Sequence, residues 1–209
     1  MDQPGTIAKE IRLNPLTDKE VTPDYVSWLN NPEIRRYLGI RHRREPLKQE
    51  DVIRFLEDCE SKKRHHWGIY YQGRHIGNVS CSAWSRENRW IDISYLIGDR
   101  NVQGRGIATL AVGAAMRYLF ERREYHRVQA GAIVENRASI RVMEKLRMRK
   151  DAQLRGNAYL PAENRFADEV IYSALKEEWI PPFAEINDIP VLPMRWEKTN
   201  TKKESRCKN

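Results

Sequence analysis

The sequence predicts an α/β (α+β) fold, a mixed and mostly antiparallel central sheet flanked by helices. Three observations carry that expectation. Runs of β-forming residues joined by Gln72-Gly73-Arg74 and by Ser85-Arg86-Glu87-Asn88 read as an antiparallel meander leading into Trp90–Gly98. From Trp90 to Leu146 the pattern becomes strand, tight turn, helix, strand, helix. After that the chain turns antiparallel again, with strands at Ala152–Leu160 and Phe166–Leu175 around the loop Pro161-Ala162-Glu163-Asn164.

Taken in order, Ile11–Pro15 is a short edge strand, ended by a proline that has no N–H to donate. Thr22-Pro23-Asp24 starts a helix, with Thr22 as cap and Pro23 in the first turn. Tyr25, Trp28 and Leu29 share one face of it, and Pro32 opens a second short helix carrying Ile34, Tyr37 and Leu38. Asp51–Glu60 is amphipathic, with Val52, Phe55 and Leu56 inward. The run Lys62-Lys63-Arg64-His65-His66 has no ligand partners at metal spacing and reads as solvent-exposed. Strands follow at Trp67–Tyr71 and His75–Ala83, then at Trp90–Gly98. A helix spans about Ile107–Arg122, a strand Arg127–Val134, and a second helix Asn136–Leu146.

Size and composition set bounds. The chain has 209 residues, of which 40% are hydrophobic and 32% charged, which suits one packed domain with a modest extension. The division expected is a domain at 1–179, a Pro-rich apolar extension at 180–196 packing on the domain or on a partner, and a disordered basic tail at 197–209. Cys59, Cys81 and Cys207 are odd in number and widely spaced, so neither a disulfide framework nor a metal site is expected, and a reducing, cytoplasmic setting fits. No apolar run approaches the roughly 18 residues of a membrane span, and no signal peptide opens the chain. The formal net charge of +8 would suit an anionic small molecule, nucleic acid or an acidic membrane face.

The turn Gln103-Gly104-Arg105-Gly106-Ile107-Ala108 is the chemical centre of the sequence. Two glycines where a strand hands over to a helix leave N–H groups uncovered at a positive helix end, which suits a phosphate or pyrophosphate. Arg105 adds a full charge there. A P-loop is excluded because no Gly-Lys-Ser/Thr follows. The dinucleotide fingerprint fails because Thr109 stands where its third glycine or alanine belongs. A plain strand-to-helix turn remains open on these residues alone.

The wider pattern is more specific. Gln103-x-x-Gly106-x-Ala108 resembles the Gln/Arg-x-x-Gly-x-Gly/Ala loop of the GNAT N-acetyltransferases. Asn136-x-x-Ser139-x-x-x-x-Glu144-Lys145-Leu146 follows at that family's spacing, and Ile91–Gly98 resembles its fourth strand. Tyr25–Leu38 is similar to the opening helices of the ribosomal-protein-alanine branch and of amino-sugar acetyltransferases. The likeness runs from roughly Glu10 to Leu175.

The resemblance implies a GNAT-type sheet and acetyl-CoA as co-substrate, with no metal. Gln103, Gly104, Arg105, Gly106, Ile107 and Ala108 would hold the pyrophosphate. Backbone groups at Leu96, Ile97 and Gly98, with the Asn136 side chain, would hold the pantetheine arm. Asp92 would be the general base and Glu135 a second candidate, while Ser139 would stand near the sulfur. Each has a plainer reading: a strand-end ion pair for Asp92, a helix cap for Asn136, a surface hydroxyl for Ser139. Tyr37 and Arg41 would meet the acceptor, although Tyr37 could be core and Arg41-His42-Arg43-Arg44 a solvated run.

Two departures stand out. Met143 occupies the place of the tyrosine that many relatives use as general acid, and Ala158 that of a glutamate in the ribosomal branch. Acetyl-CoA and nucleotide-sugars are polyanions, so the positive charge does not require nucleic acid. The expected partner is a small-molecule amine or nucleotide-sugar, with a protein N-terminus as the alternative and no nucleic acid or membrane; a homodimer fits. A non-catalytic acyl-CoA-binding module is a further alternative.

Overall fold

The computed structural model describes residues 4–197, so most of the expected basic tail lies outside the described residues. Seven strands form one sheet: β1 (Ile11–Pro15), β2 (His66–Tyr71), β3 (Arg74–Ser85), β4 (Trp90–Ile97), β5 (Arg127–Ile133), β6 (Arg149–Leu160) and β7 (Arg165–Leu175). Their order is β1-β2-β3-β4-β5-β7-β6. Every neighbouring pair is antiparallel except β4 and β5, which are parallel. The helices are α1 (Pro4–Lys9), α2 (Pro23–Asn30), α3 (Pro32–Arg35), α4 (Gln49–Ser61), α5 (Ile107–Glu121) and α6 (Arg137–Lys145). The mixed, mostly antiparallel sheet is as the sequence predicts; α1 has no counterpart in the sequence reading.

Local chemistry accounts for the helix ends. The Thr22 hydroxyl accepts from the Tyr25 N–H, with Pro23 next to it, and the Asn31 side chain accepts from the Glu33 N–H. α3 stops at Arg35, one turn long, so Tyr37 and Leu38 lie in the turn beyond it rather than on a helix. Their N–H groups bond back to Ile34 and Arg35 as tight turns do.

One face of the sheet carries α5, of whose fifteen residues twelve are buried. A helix this apolar must be covered on two sides. The second cover is the segment after β7. Ile186 and Ile189 are buried against α5 and the main core. A Cβ on Gly113 would stand 2.5 Å from Ile186 Cδ1, so glycine in mid-helix opens the slot this side chain fills. The Arg117 guanidinium donates to the Ile189 carbonyl and the Trp67 indole to that of Leu192. Leu13 and Val191 form a parallel bridge that covers the outer edge of β1.

Glu197, assigned by composition to the tail, is buried. Its carboxylate lies 2.8 Å from His65 Nε2 and accepts from the Tyr118 hydroxyl. His65 and His66, expected in solvent, are buried because the exposed run ends at Arg64, where the chain enters the sheet. His66 Nδ1 meets Ser80 Oγ at 2.6 Å, and burial pushes its pKa down to about 4. The opposite sheet face carries α2 and α4, where Tyr25, Val52, Leu56 and Leu96 form a smaller core. A Cβ on Gly98 would lie 2.0 Å from the Trp28 indole, so Trp28 packs flat across that glycine.

Two outcomes follow for stability. His65, His66 and His75 all have pKa values lowered first by burial, so they are neutral in the fold and gain protons on unfolding below about 6.5. Unfolding then takes up protons, and stability falls as the pH drops from about 6.5 toward 4, His66 alone accounting for roughly 3 kcal/mol. Melting temperatures across that range should fall steadily; a flat profile contradicts this. Ile186→Ala should cost about 2–4 kcal/mol in urea unfolding.

Candidate functional site

The parallel ladder between β4 and β5 is short. It runs from Trp90↔Arg127 to Asp92↔Gln129 and stops. Beyond Asp92 the two strands splay, and among the described residues β4 has no strand partner on that edge. A cleft of about 690 Å³ opens beside the free part of β4 and reaches the start of α5 and one face of α6. Leu96 and Ile97 line it, as do Gly104, Gly106, Asn136 and Ser139.

The loop before α5 is built for an uncovered helix end. Gly104 and Gly106 have φ of +76° and +82°, the left-handed region that glycine enters at no steric cost. A Cβ at either would meet nothing within 4 Å, so space is left open above both. Gly106 caps α5 with no side-chain hydrogen bond, and the first intrahelical bond is Leu110 N–H to Gly106 carbonyl. The first-turn amides therefore point outward, at the positive end of a fifteen-residue helix. Arg141 and Lys145 add side-chain charge to the cleft, while Arg100 there is paired with Glu33. An elongated polyanion with a slender arm fits these features: its phosphates at the glycines and cations, its arm along the open edge of β4.

A model of the acetyltransferase (GNAT) domain matches residues 10–149. The chain belongs to the GNAT acetyltransferase family. It is an acetyl-CoA-dependent N-acetyltransferase. It is 28% identical over 172 residues to the uncharacterised N-acetyltransferase p20 of Bacillus licheniformis, spanning 81% of this chain and 93% of that one. It is 33% identical over 112 residues to the protein named "Putative ribosomal N-acetyltransferase YdaF" of Bacillus subtilis, spanning 54% and 60% of the two chains. The crystal structure of a protein named "putative acetyltransferase" from T. thermophilus superposes with a TM-score of 0.69 at 28% identity, covering 86% of this chain and 93% of that one.

With the GNAT frame in place, the expected residues divide. Gln103, Ile107 and Ala108 line the cleft with the two glycines, though the Gln103 amide donates to the Ile97 carbonyl, bracing loop against strand. Asn136 caps α6 by accepting from the Ser139 N–H and faces the cleft at the same time. Tyr37 lines the cleft and also packs on Ile133, Ala158, Leu160 and Ala167.

Four expected residues sit elsewhere. The Gly98 N–H is taken by the Ile76 carbonyl at 2.9 Å, so it has no donor left for a ligand. The Arg105 guanidinium lies over the Tyr71 ring at 5.3 Å, away from the cleft, leaving only its backbone at the loop. Arg41 donates to the carbonyls of Tyr159 and Leu38 and so anchors its loop to β6. Burial pulls the Glu135 carboxyl up, but its own backbone N–H and the Arg165 guanidinium 3.0 Å away outweigh that and hold it below the usual range, which makes it a poor base.

Asp92 is the last paired residue of β4, at the foot of the splay and not among the residues that line the cleft. Its carboxylate accepts from Ser82 Oγ at 3.1 Å and from the Gln129 amide at 3.5 Å. Burial raises its pKa, the two hydrogen bonds oppose that, and the Glu169 charge adds to the rise. Sequence reasoning missed Tyr95, which lines the cleft together with Ser139; its hydroxyl pKa is raised by burial, with Ser139 acting in the opposite direction. It missed the cations too, although Arg141 and Lys145 recur four apart on α6 and so share a face. Met143 is buried in the main core.

The two left-handed glycines supply a direct check. Gly106→Val should weaken acetyl-CoA binding in calorimetry by roughly 5- to 30-fold, about 1–2 kcal/mol, through backbone strain at the loop. Unchanged affinity would remove the loop from the binding site.

Proposed function

We propose that the acceptor is a small primary amine, an amino-sugar being the leading case, and that the acetyl group passes to it directly with both substrates bound. The observation that carries this reading is the Asp92 carboxylate, held by Ser82 and Gln129 at the residue where the β4–β5 ladder ends. An ammonium group is drawn to that corner. Arg41, the expected contact for a sugar diphosphate, is engaged with backbone carbonyls, which weakens the nucleotide-linked version of the acceptor.

The residues divide the work as follows. Asp92 takes the proton that the ammonium must lose before nitrogen can attack, and its raised pKa brings it closer to that task. The Ile97 backbone N–H is on the free edge of β4, since those of Gly98 and Leu96 turn toward β3, and it borders the cleft where the thioester oxygen gains charge. As the nitrogen–carbon bond forms, the carbon–sulfur bond breaks and the thiolate needs a proton. The Ser139 and Tyr95 hydroxyls border the same cleft and supply it, and the second proton shed by the nitrogen as the amide forms restores the hydroxyl; Tyr95 stays protonated at neutral pH because burial raises its pKa. Among the described residues no cysteine lines the cleft, in keeping with transfer that needs no acyl-enzyme.

A protein N-terminus is the second reading. The B. subtilis relative carries a ribosomal name, and Phe166 and Leu154 expose apolar surface on the β6–β7 hairpin that an extended peptide could use. Thiol release from acetyl-CoA with amino-sugars, polyamines and short peptides separates the two. Turnover on peptides alone would overturn the small-amine reading.

For the roles, Asp92→Asn should lower kcat/KM by about 100-fold or more. Ser139→Ala and Tyr95→Phe should each lower kcat while leaving acetyl-CoA affinity near that of the wild type. Changes of only a few-fold in all three would remove these assignments.

A further inference from the structure

At the far end of α5 from the cleft lies a second cavity of about 460 Å³. It is framed by the C-terminal ends of α4 and α5 and by the turn between β3 and β4. α5 is fifteen residues long, so the two sites are separated by roughly 20 Å. Five cations line the second one, Lys62, Lys63, Arg86, Arg89 and Arg123, against one carboxylate, Glu124. Three aromatic residues stand among them, Trp84, Tyr125 and Trp196. Trp84 is 40% exposed, and the Arg86 guanidinium lies over its ring at 5.6 Å.

Part of this charge is spent internally. Lys62 pairs with Asp58 and Arg123 with Glu197. Arg89 donates to the Glu124 carbonyl, which orients its guanidinium without neutralising it. Among the described residues Lys63, Arg86 and Arg89 form no ion pair. The backbone is unusual here as well. Of six non-glycine residues with left-handed φ among the described residues, three line this cavity: Lys63 at 54°, Arg89 at 52° and Glu124 at 55°. Lys63 and Glu124 follow helix ends, where glycine is the residue that avoids strain. A charged side chain at such a place costs about 1 kcal/mol or more, and strain of this kind collects at binding sites.

We propose that this cavity binds single-stranded nucleic acid, one base stacking on Trp84 and the flanking phosphates meeting Lys63, Arg86 and Arg89. An exposed tryptophan, Trp84, among cations that lack a carboxylate partner is the chemistry that recognises a base joined to phosphates, and stacking needs a base free of its duplex partner. The chain beyond Glu197 contains Lys198, Lys202, Lys203, Arg206 and Lys208 against a single acidic side chain, Glu204. That segment is a poor occupant for a basic cavity and adds to the charge available to a polyanion. The proposal does not depend on which amine is acetylated.

The test is fluorescence anisotropy of the full-length protein with a labelled ten-nucleotide oligouridine at low salt. Binding should be measurable below about 100 μM and weaken with salt, with a log–log slope near −0.7 for each phosphate contacted. Trp84→Ala should weaken it about tenfold, and Arg86→Glu should weaken it and flatten the salt slope. Neither residue lies in the acetyl-CoA cleft, so thiol release should be unchanged in both variants, which also shows that they fold. Absence of binding overturns the proposal, as does affinity unaltered in both variants, or a matched duplex binding as tightly as the single strand. If AMP alone fills the site as tightly as the oligonucleotide, the ligand is a free nucleotide and the strand assignment is overturned.

Discussion

The rest of the structure depends on the short β4–β5 ladder. Two parallel strands that pair for three residues and then separate leave backbone N–H and C=O groups without partners in the middle of a sheet. Such groups need a partner, and in a cleft open to solvent that partner is water or a ligand. An extended amide-bearing chain can replace the missing strand with hydrogen bonds of the same kind. The gap is wedged open by surrounding elements. The Gln103 amide braces the α5 loop against Ile97, Trp28 packs flat across Gly98, and Tyr37 sits on the core beneath β6 and β7.

Holding the gap requires that α5 not move, because its first turn supplies the amides at the wide end. A helix buried at twelve of fifteen positions cannot be fixed by one sheet face alone. The segment after β7 completes its cover, with Ile186 in the slot over Gly113 and the Arg117–Ile189 bond alongside. Mid-helix glycine costs about 1 kcal/mol relative to alanine. Burying an isoleucine in the slot returns more than that. The C-terminal segment thus bears on the site it never touches, by clamping the helix whose opposite end is in the cleft.

Much of this is legible in the sequence. The elements announce themselves because each strand alternates or is flanked by turn residues, and because Thr22-Pro23 and the Gly104/Gly106 pair are chemical signals confined to a few neighbours. Where sequence reasoning fails, the deciding partner is distant in the chain. His65 and His66 look like the end of a basic run; only Ser80 and Glu197, far along the sequence, make them core. Arg105 and Arg41 have the right charge next to the right motif, but Tyr71 and the β6 carbonyl claim their side chains. Tyr95 reads as a strand residue on a buried face, and its closeness to Ser139 exists only once β4 and α6 are set side by side. Glu135 stands out for its position beside Asn136, and its ion pair with Arg165 of β7 is not visible locally.

The proton for the departing thiolate shows how position rather than residue type decides a role. Ser139 and Met143 are four apart on α6 and share a face, yet Ser139 lines the cleft while Met143 is buried in the main core. A tyrosine at 143 would have to bring its hydroxyl out of that core or leave it unpaired, at a cost of about 1–3 kcal/mol. In the proposed mechanism the hydroxyl comes instead from β4. Tyr95, on the strand across the cleft, lines it together with Ser139, and in the proposed mechanism would stand as a second hydroxyl behind the first. Methionine at 143 then reflects a fold that packs an apolar side chain one turn below its serine, which is why the proposed acid function is assigned to the opposite wall.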